Sequence, residues 1–278
     1  MALMLICAVL LLAGVAGAVL WSGERVRPPE VDAHAVEGSA KLVVRRYVWY
    51  LTVGLLAGLT AGVLVAGAGG RLIMRLLAVT AGDAAQGRET EAEQIVGRIT
   101  TGGTVSFIMF TALFFGLVTG PAYLLIRHWL PRGRLSGVAF GALLAAVAAT
   151  RVEPLRADNP DFGLVGPGWL AALAFGALVL LHGMLVAAIA GRYSRALPLI
   201  STDRRALLGH APLLVLVPAF PLIAVVAAFG AAAVGLSRVT SLVETLRSRR
   251  ALVGGRVILG GVGVAALPGA IAAFAEIV

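Results

Sequence analysis

Tyr47-Val-Trp-Tyr-Leu-Thr-Val-Gly-Leu-Leu-Ala-Gly-Leu-Thr-Ala-Gly-Val-Leu-Val-Ala66 runs for 20 residues without a charged side chain. At about 1.5 Å per residue, a helix of that length covers about 30 Å, the hydrocarbon thickness of a bilayer. Gly54, Gly58 and Gly62 recur every fourth residue and so share one helix face. Helices in lipid associate mainly by close van der Waals contact, and small residues four apart let two backbones approach. The stretch therefore predicts a membrane-spanning helix with a built-in packing seam.

Further apolar runs extend on both sides, at approximately 2–21, 103–126, 132–150, 168–190, 211–235 and 254–277. Gly116 and Gly120 repeat the four-residue spacing in the third run, and Gly137 and Gly141 in the fourth. The composition of the 278-residue chain agrees: 59% hydrophobic, 13% charged, mean hydropathy +0.95. Soluble domains hold roughly 45–50% apolar and about 25% charged residues, so a free cytosolic enzyme and a disordered chain are excluded. The expected fold is an all-α polytopic transmembrane bundle of six to seven spans with short interfacial helices. Its expected organisation is an N-terminal transmembrane helix (1–21), a polar linker (22–46), a four-span core (47–208) with polar outer loops 67–102 and 151–167, and C-terminal hydrophobic segments (209–278).

Charge sets the expected orientation. Loops 22–46, 127–134 and 191–208 carry five, three and four Lys or Arg residues, twelve in all; 67–102 and 151–167 carry six, together with seven of the fourteen acids. Basic loops stay cytoplasmic. The first set is therefore expected inside a bacterial plasma membrane, with the N-terminus outside. The first run has no basic residue before it and Arg25 and Arg27 after it, the opposite of a cleavable signal, so an uncleaved helix is expected, and the linker-like segment 22–46, with Pro28-Pro29 and mixed charges, sets it apart from the bundle. The segment 236–253 departs from the pattern, since Arg238, Arg247, Arg249 and Arg250 would lie outside if seven spans crossed. Pro212, Pro218 and Pro221 could break the sixth run into a re-entrant segment. Val239, Leu242, Val243 and Leu246 recur at helical spacing, predicting an amphipathic surface helix over about 237–250.

The net charge of +9 belongs to this headgroup-facing pattern and not to nucleic acid, for which no recognition motif is present. Cys7 is the only cysteine, so no disulfide or Cys-based metal site forms within one chain. Phosphate-loop and HExxH motifs are absent, and no cofactor is expected. Trp21, Tyr47, Trp49, Tyr50, Trp129 and Trp169 fall at span ends, as an aromatic belt would.

Polar residues capable of function fall in three places. Arg71 and Arg75 lie one turn apart, followed by Asp83, Arg88, Glu91 and Glu93; Thr90 and Glu93 form a capping-box pattern that predicts a short helix from Glu91 to Ile99. Arg151, Glu153, Arg156, Asp158 and Asp161 follow the fourth run, stiffened by Pro154, Pro160 and Pro167. The two stretches share one side, as an ion-pair network or as a polar site for a headgroup, ion or partner. His182 is the third place, an ionisable residue deep within a span, and such residues are functional candidates by default. Haem ligation is not expected, because His34, His128 and His210 lie in loops or at a span edge.

Gly69-Gly-Arg-Leu-Ile-Met-Arg-Leu-Leu-Ala-Val-Thr-Ala-Gly82, Ala85-Gln-Gly-Arg-Glu-Thr-Glu-Ala92, Val96-Gly-Arg-Ile-Thr100 and Asp158-Asn-Pro-Asp-Phe162 resemble a group of uncharacterised bacterial polytopic membrane proteins. The resemblance spans about residues 67–199 and implies no particular activity. Three functional expectations stand. The first is a non-enzymatic accessory or scaffold subunit bound to lipid and to other membrane subunits or itself. The second is a small transporter or channel for an ion, a proton or a lipid-like substrate, its path lined by His182 and the polar loops. The third is a lipid-modifying enzyme using the outer carboxylates.

Overall fold

The computed structural model describes residues 1–30, 39–156, 158–216, 228–232, 234–235 and 248–278. Among these residues the secondary structure is helical, with a single isolated bridge between Glu89 and Ile95. The helices are α1 (Ala2–Leu20), α2 (Ala40–Thr80), α3 (Thr101–Ile126), α4 (Leu135–Ala149), α5 (Gly168–Ala196), α6 (Arg204–Gly209) and α7 (Arg249–Ile277). Five of them, α1, α2, α3, α5 and α7, are long and apolar enough to cross a membrane; α4 is a shorter apolar helix. The protein is an all-helical membrane protein.

Helix starts follow side-chain chemistry. Ser39, Thr100 and Ser248 each accept a backbone N–H of their own first turn, from Leu42, Gly103 and Ala251. Helix α2 is longer than expected: it starts at Ala40 and continues through Arg71 and Arg75 to Thr80, so the outer segment begins after Thr80 and not at residue 67. Continuity is kept by a π-helical turn, Gly62–Gly67. The seam glycines are spaced by four up to Gly62 and then by five to Gly67, so the wider turn absorbs the extra residue and keeps Gly67 on the same face.

That face packs on α3, running antiparallel. Gly54 faces Gly120 and Pro121, Gly58 faces Gly116, Gly62 faces Ala112 and Gly67 faces Ile108. A Cβ on Gly58 would overlap the Gly116 carbonyl, and one on Gly62 would come within 2.7 Å of the Ala112 Cα. A second seam joins α4 to α5: Gly137 packs on Met184, and Gly141 on Leu180 and Gly183. The backbones touch, so these glycines are packing surfaces.

The first helix does not stand apart. Gly14 packs on Leu64, Val65 and Leu185, Gly17 packs on Leu185, and Cys7 is buried. Downstream of it, Gly191 lies against Glu24, so the chain leaving α1 is held at the end of α5. Helix α7 starts at Arg249, five residues before the expected run. Its Gly255 lies under the Trp129 indole just beyond α3, and its Ile277 carbonyl lies against Gly168 at the start of α5. The chain between α5 and α7 therefore leaves from and returns to the same end of the bundle. Of the expected sixth run, Ala211–Leu216 forms a 3-10 segment, and residues 217–227 lie outside the described residues. The expected amphipathic helix over 237–250 also lies outside them up to residue 247, and Ser248 onward belongs to the start of α7. Residues 31–38 of the linker are likewise outside.

One member of the expected aromatic belt is in the core instead. Trp49 is 0% exposed, and its indole Nε1 donates to the Leu197 carbonyl at 2.8 Å. Trp169 is 52% exposed, as a bilayer-facing residue would be.

Candidate functional site: a polar cap and a sealed histidine

At the end of α2 the chain turns at Gly82, whose φ of 76° only glycine adopts cheaply. Gln86 Nε2 donates back to the Ala78 carbonyl at 2.7 Å, which holds the following turn against the helix end. Residues 87–96 form a tight hairpin-like loop: the Val96 N–H donates to the Arg88 carbonyl and the Thr90 N–H to the Gln94 carbonyl, each at 2.9 Å. Glu93 sits at its tip with φ 56°. The capping-box helix over Glu91–Ile99 is therefore not formed. Thr90 Oγ1 accepts the Gln94 N–H at 3.2 Å, one residue beyond the Glu93 N–H of a capping box, and Glu93 is turned into the left-handed region. Gly87 and Gly97, both with positive φ, are the local reason the loop reverses within so few residues.

The segment after α4 is anchored by Leu155, fully buried, whose N–H donates to the Ala149 carbonyl at 2.8 Å. Asn159 caps the 3-10 turn Pro160–Gly163 by accepting the Asp161 N–H at 2.9 Å. The two segments meet at Arg156. Its Nη2 donates to both carboxylate oxygens of Glu91, at 2.6 and 2.8 Å. Its Nε lies 2.8 Å from Asp158 Oδ1 and its Nη1 3.7 Å from Glu153 Oε1. Asp161 Oδ1 accepts the Glu91 backbone N–H at 2.8 Å. Ala78, Ala85 and Val96 form a small apolar cluster beneath, with Leu164 and Val165 against it.

Five of the predicted residues, Glu91, Glu153, Arg156, Asp158 and Asp161, thus form one cluster. Three others brace helix ends: Arg71 donates to Thr104 Oγ1 at 3.2 Å, Arg75 to the Gly97 carbonyl at 3.3 Å, and Arg151 to the Ala146 and Val147 carbonyls at the end of α4. Asp83, Arg88 and Glu93 are exposed and make no ion pair among the described residues. Arg88 and Glu93 do line an open groove of about 470 Å³ with Glu91, Pro160, Asp161 and Leu164.

The electrostatics follow from this crowding. The hydrogen bonds that Arg156 donates to Glu91, then the charges of Asp158, Glu91 and Glu153, hold the Arg156 guanidinium above its ordinary pKa against some burial. Glu153 is pushed up, first by burial and then by the charges of Glu91, Asp158 and Asp161, which together outweigh its attraction to Arg156. With its fork shared among three carboxylates, Arg156 has no free face for an oxyanion. Its chemistry is that of a clasp between the two outer segments. Among the described residues no group of three His, Cys, Asp or Glu side chains is placed to hold a metal ion.

His182 lies in the core between α3 and α5, 5% exposed. Its Nε2 is 3.0 Å from Thr119 Oγ1, whose hydroxyl proton goes to the Phe115 carbonyl at 2.7 Å, and the Phe115 ring stands edge-on to the imidazole. Sequence reading missed Thr119 as the partner. The available signal was its place beside Gly120, on the stretch of α3 that comes closest to its neighbours. No protein-family model matches the chain, and no match was found to a curated protein or to a solved structure.

Proposed function

We propose that the protein is a non-enzymatic scaffold or accessory subunit of a bacterial plasma-membrane complex, with the polar cap as its docking face. The observation that carries this reading is the clasp at Arg156. It rigidifies two outer loops over a bundle whose backbones touch along glycine seams, leaving an open polar groove on a stiff platform. In this reading the bundle crosses the membrane six times, with the N-terminus and the cap outside and residues 22–46, 127–134 and 191–208 in the cytoplasm. The even number of crossings is supported by α5 ending, and α7 beginning, at the same basic end.

Arg156→Ala opens the clasp while leaving the glycine seams intact. The expected outcome in mild-detergent purifications quantified by mass spectrometry is loss of one stoichiometric membrane partner from the variant, with unchanged yield of the chain itself. Identical partner profiles for wild type and variant would remove the cap from this role. Transport through the bundle is the second reading, and His182, an ionisable residue at membrane depth, is the observation in its favour.

A further inference from the structure

The end of the bundle opposite the cap gathers the basic residues, and one corner of it holds two cations with no carboxylate partner among the described residues. Arg46 stands one helical turn before Tyr50 on α2, so both side chains share a face. The Arg127 guanidinium, just past α3, lies over the Tyr50 ring at 4.9 Å and donates through Nη2 to the Tyr50 hydroxyl at 3.3 Å. Its Nε faces the His128 Nε2 at 3.4 Å. The antiparallel α2–α3 seam, with Gly54 against Gly120 and Pro121, carries Arg46 to the same corner.

Arg46 Nε and Arg127 Nη1 are both buried, and neither has a hydrogen-bond partner among the described residues. Nor does either guanidinium pair with a carboxylate there. The described acids of this end are committed or distant in role: Glu24 pairs with Arg195 at 3.5 Å, Asp203 caps its own helix by accepting the Arg205 and Ala206 N–H groups, and Glu30 is exposed. His128 is held below its ordinary pKa, first by burial and then by the Arg127 charge, and its Nε2 accepts the Arg127 Nε–H. A guanidinium stripped of water on one side and given no anion is costly, and the cost is recovered when an anion occupies its open side. Both side chains are half-buried, so each keeps such a side.

We propose that Arg46 and Arg127 form a binding site for a phosphate-bearing anionic group, supplied by a phospholipid headgroup at this end of the bundle. Planar guanidinium forks, one on the Tyr50 ring and one a helical turn before it, suit the multi-oxygen geometry of a phosphate better than point charges do. The position just beyond the last apolar turn of α3 matches headgroup depth, where each basic residue contributes to anionic-lipid affinity. The proposal is independent of what the cap binds.

The test uses the full chain in an uncharged detergent. Phosphatidylglycerol and phosphatidylcholine are titrated into the micelles, and bound lipid is counted by native mass spectrometry. Wild type is expected to bind phosphatidylglycerol roughly tenfold more tightly than phosphatidylcholine, and Arg46→Gln/Arg127→Gln to lose that preference. Arg204→Gln/Arg205→Gln removes the same charge from the same end and is expected to keep it. Arg46→Lys/Arg127→Lys, which keeps the charge and loses the forks, should fall between; it also serves if the glutamine pair does not fold. Displacement of phosphatidylglycerol by millimolar inorganic phosphate would assign the site to soluble phosphate instead of a headgroup. Equal losses from the two glutamine pairs would overturn the proposal in favour of diffuse surface charge. So would a wild type that neither discriminates the lipids nor responds to phosphate.

Discussion

His182 and Glu153 show how two buried or half-buried ionisable groups are handled differently. His182 shares a hydrogen bond with Thr119 across two helices, and such bonds in membranes average about 0.6 kcal/mol, up to roughly 1.7. His182→Gln keeps the polarity and loses the titration. It is expected to change thermal stability in detergent by no more than about 2 kcal/mol and to leave proton flux in reconstituted vesicles at the wild-type level. Normal assembly with flux abolished would promote the transport reading. Glu153 is a carboxyl whose pKa is raised in the fold, so its ionised form opposes folding. The associated stability is present below the ordinary glutamate pKa and is lost as pH rises through the raised value. Glu153→Gln should therefore match wild type in melting temperature near pH 4 and exceed it near pH 7, and a parallel pair of curves over that range would contradict the assignment.

The α2–α3 seam carries the tightest packing at the level of elements. Its π turn exists because the sequence places Gly67 five residues after Gly62, and close approach to Ala112 and Ile108 rewards keeping both on one face. Gly58→Ala inserts a methyl group into the Gly116 backbone, which cannot retreat without parting the helices, and should cost about 1–3 kcal/mol in a detergent-unfolding titration. Gly261→Ala on the exposed face of α7 meets nothing within 4 Å. It is expected to be neutral or stabilising by up to about 1 kcal/mol, since alanine is the better helix former. Equal effects at the two positions would mean that helix propensity, and not the seam, governs stability.

Across the whole molecule the helices carry a polar, acid-rich cap at one end and a basic collar at the other. Positive residues resist translocation, so the collar is expected inside. In a Cys7→Ala background, Ala92→Cys is expected to react with an impermeant thiol reagent in intact cells. Ser201→Cys and Arg250→Cys should react only after the membrane is opened. Labelling of Arg250→Cys from outside would separate the start of α7 from the collar and restore an odd number of crossings; labelling of Ser201→Cys would invert the molecule.

The membrane class, the helical character of the apolar runs that became α1 to α5 and α7, and the glycine seams were legible in the chain alone, while the count of six to seven spans was not. Hydrocarbon admits only backbones that satisfy their own hydrogen bonds, so a long apolar run has one outcome, and small residues four apart mark where two such helices touch. Arg71 and Arg75 hid the true length of α2, because two charges look like a span's end until Thr104 and the Gly97 carbonyl receive them. Thr90 and Glu93 carried a helix signal that lost to a hairpin-like loop, since Asp161 and Arg156, some 65 to 70 residues away, take hold of Glu91. Trp49 was indistinguishable from a headgroup anchor until the Leu197 carbonyl was there to receive its N–H. In each case the deciding partner is remote in sequence. Local pattern determines which segments enter the bilayer; only the packed bundle determines which polar groups meet at its ends.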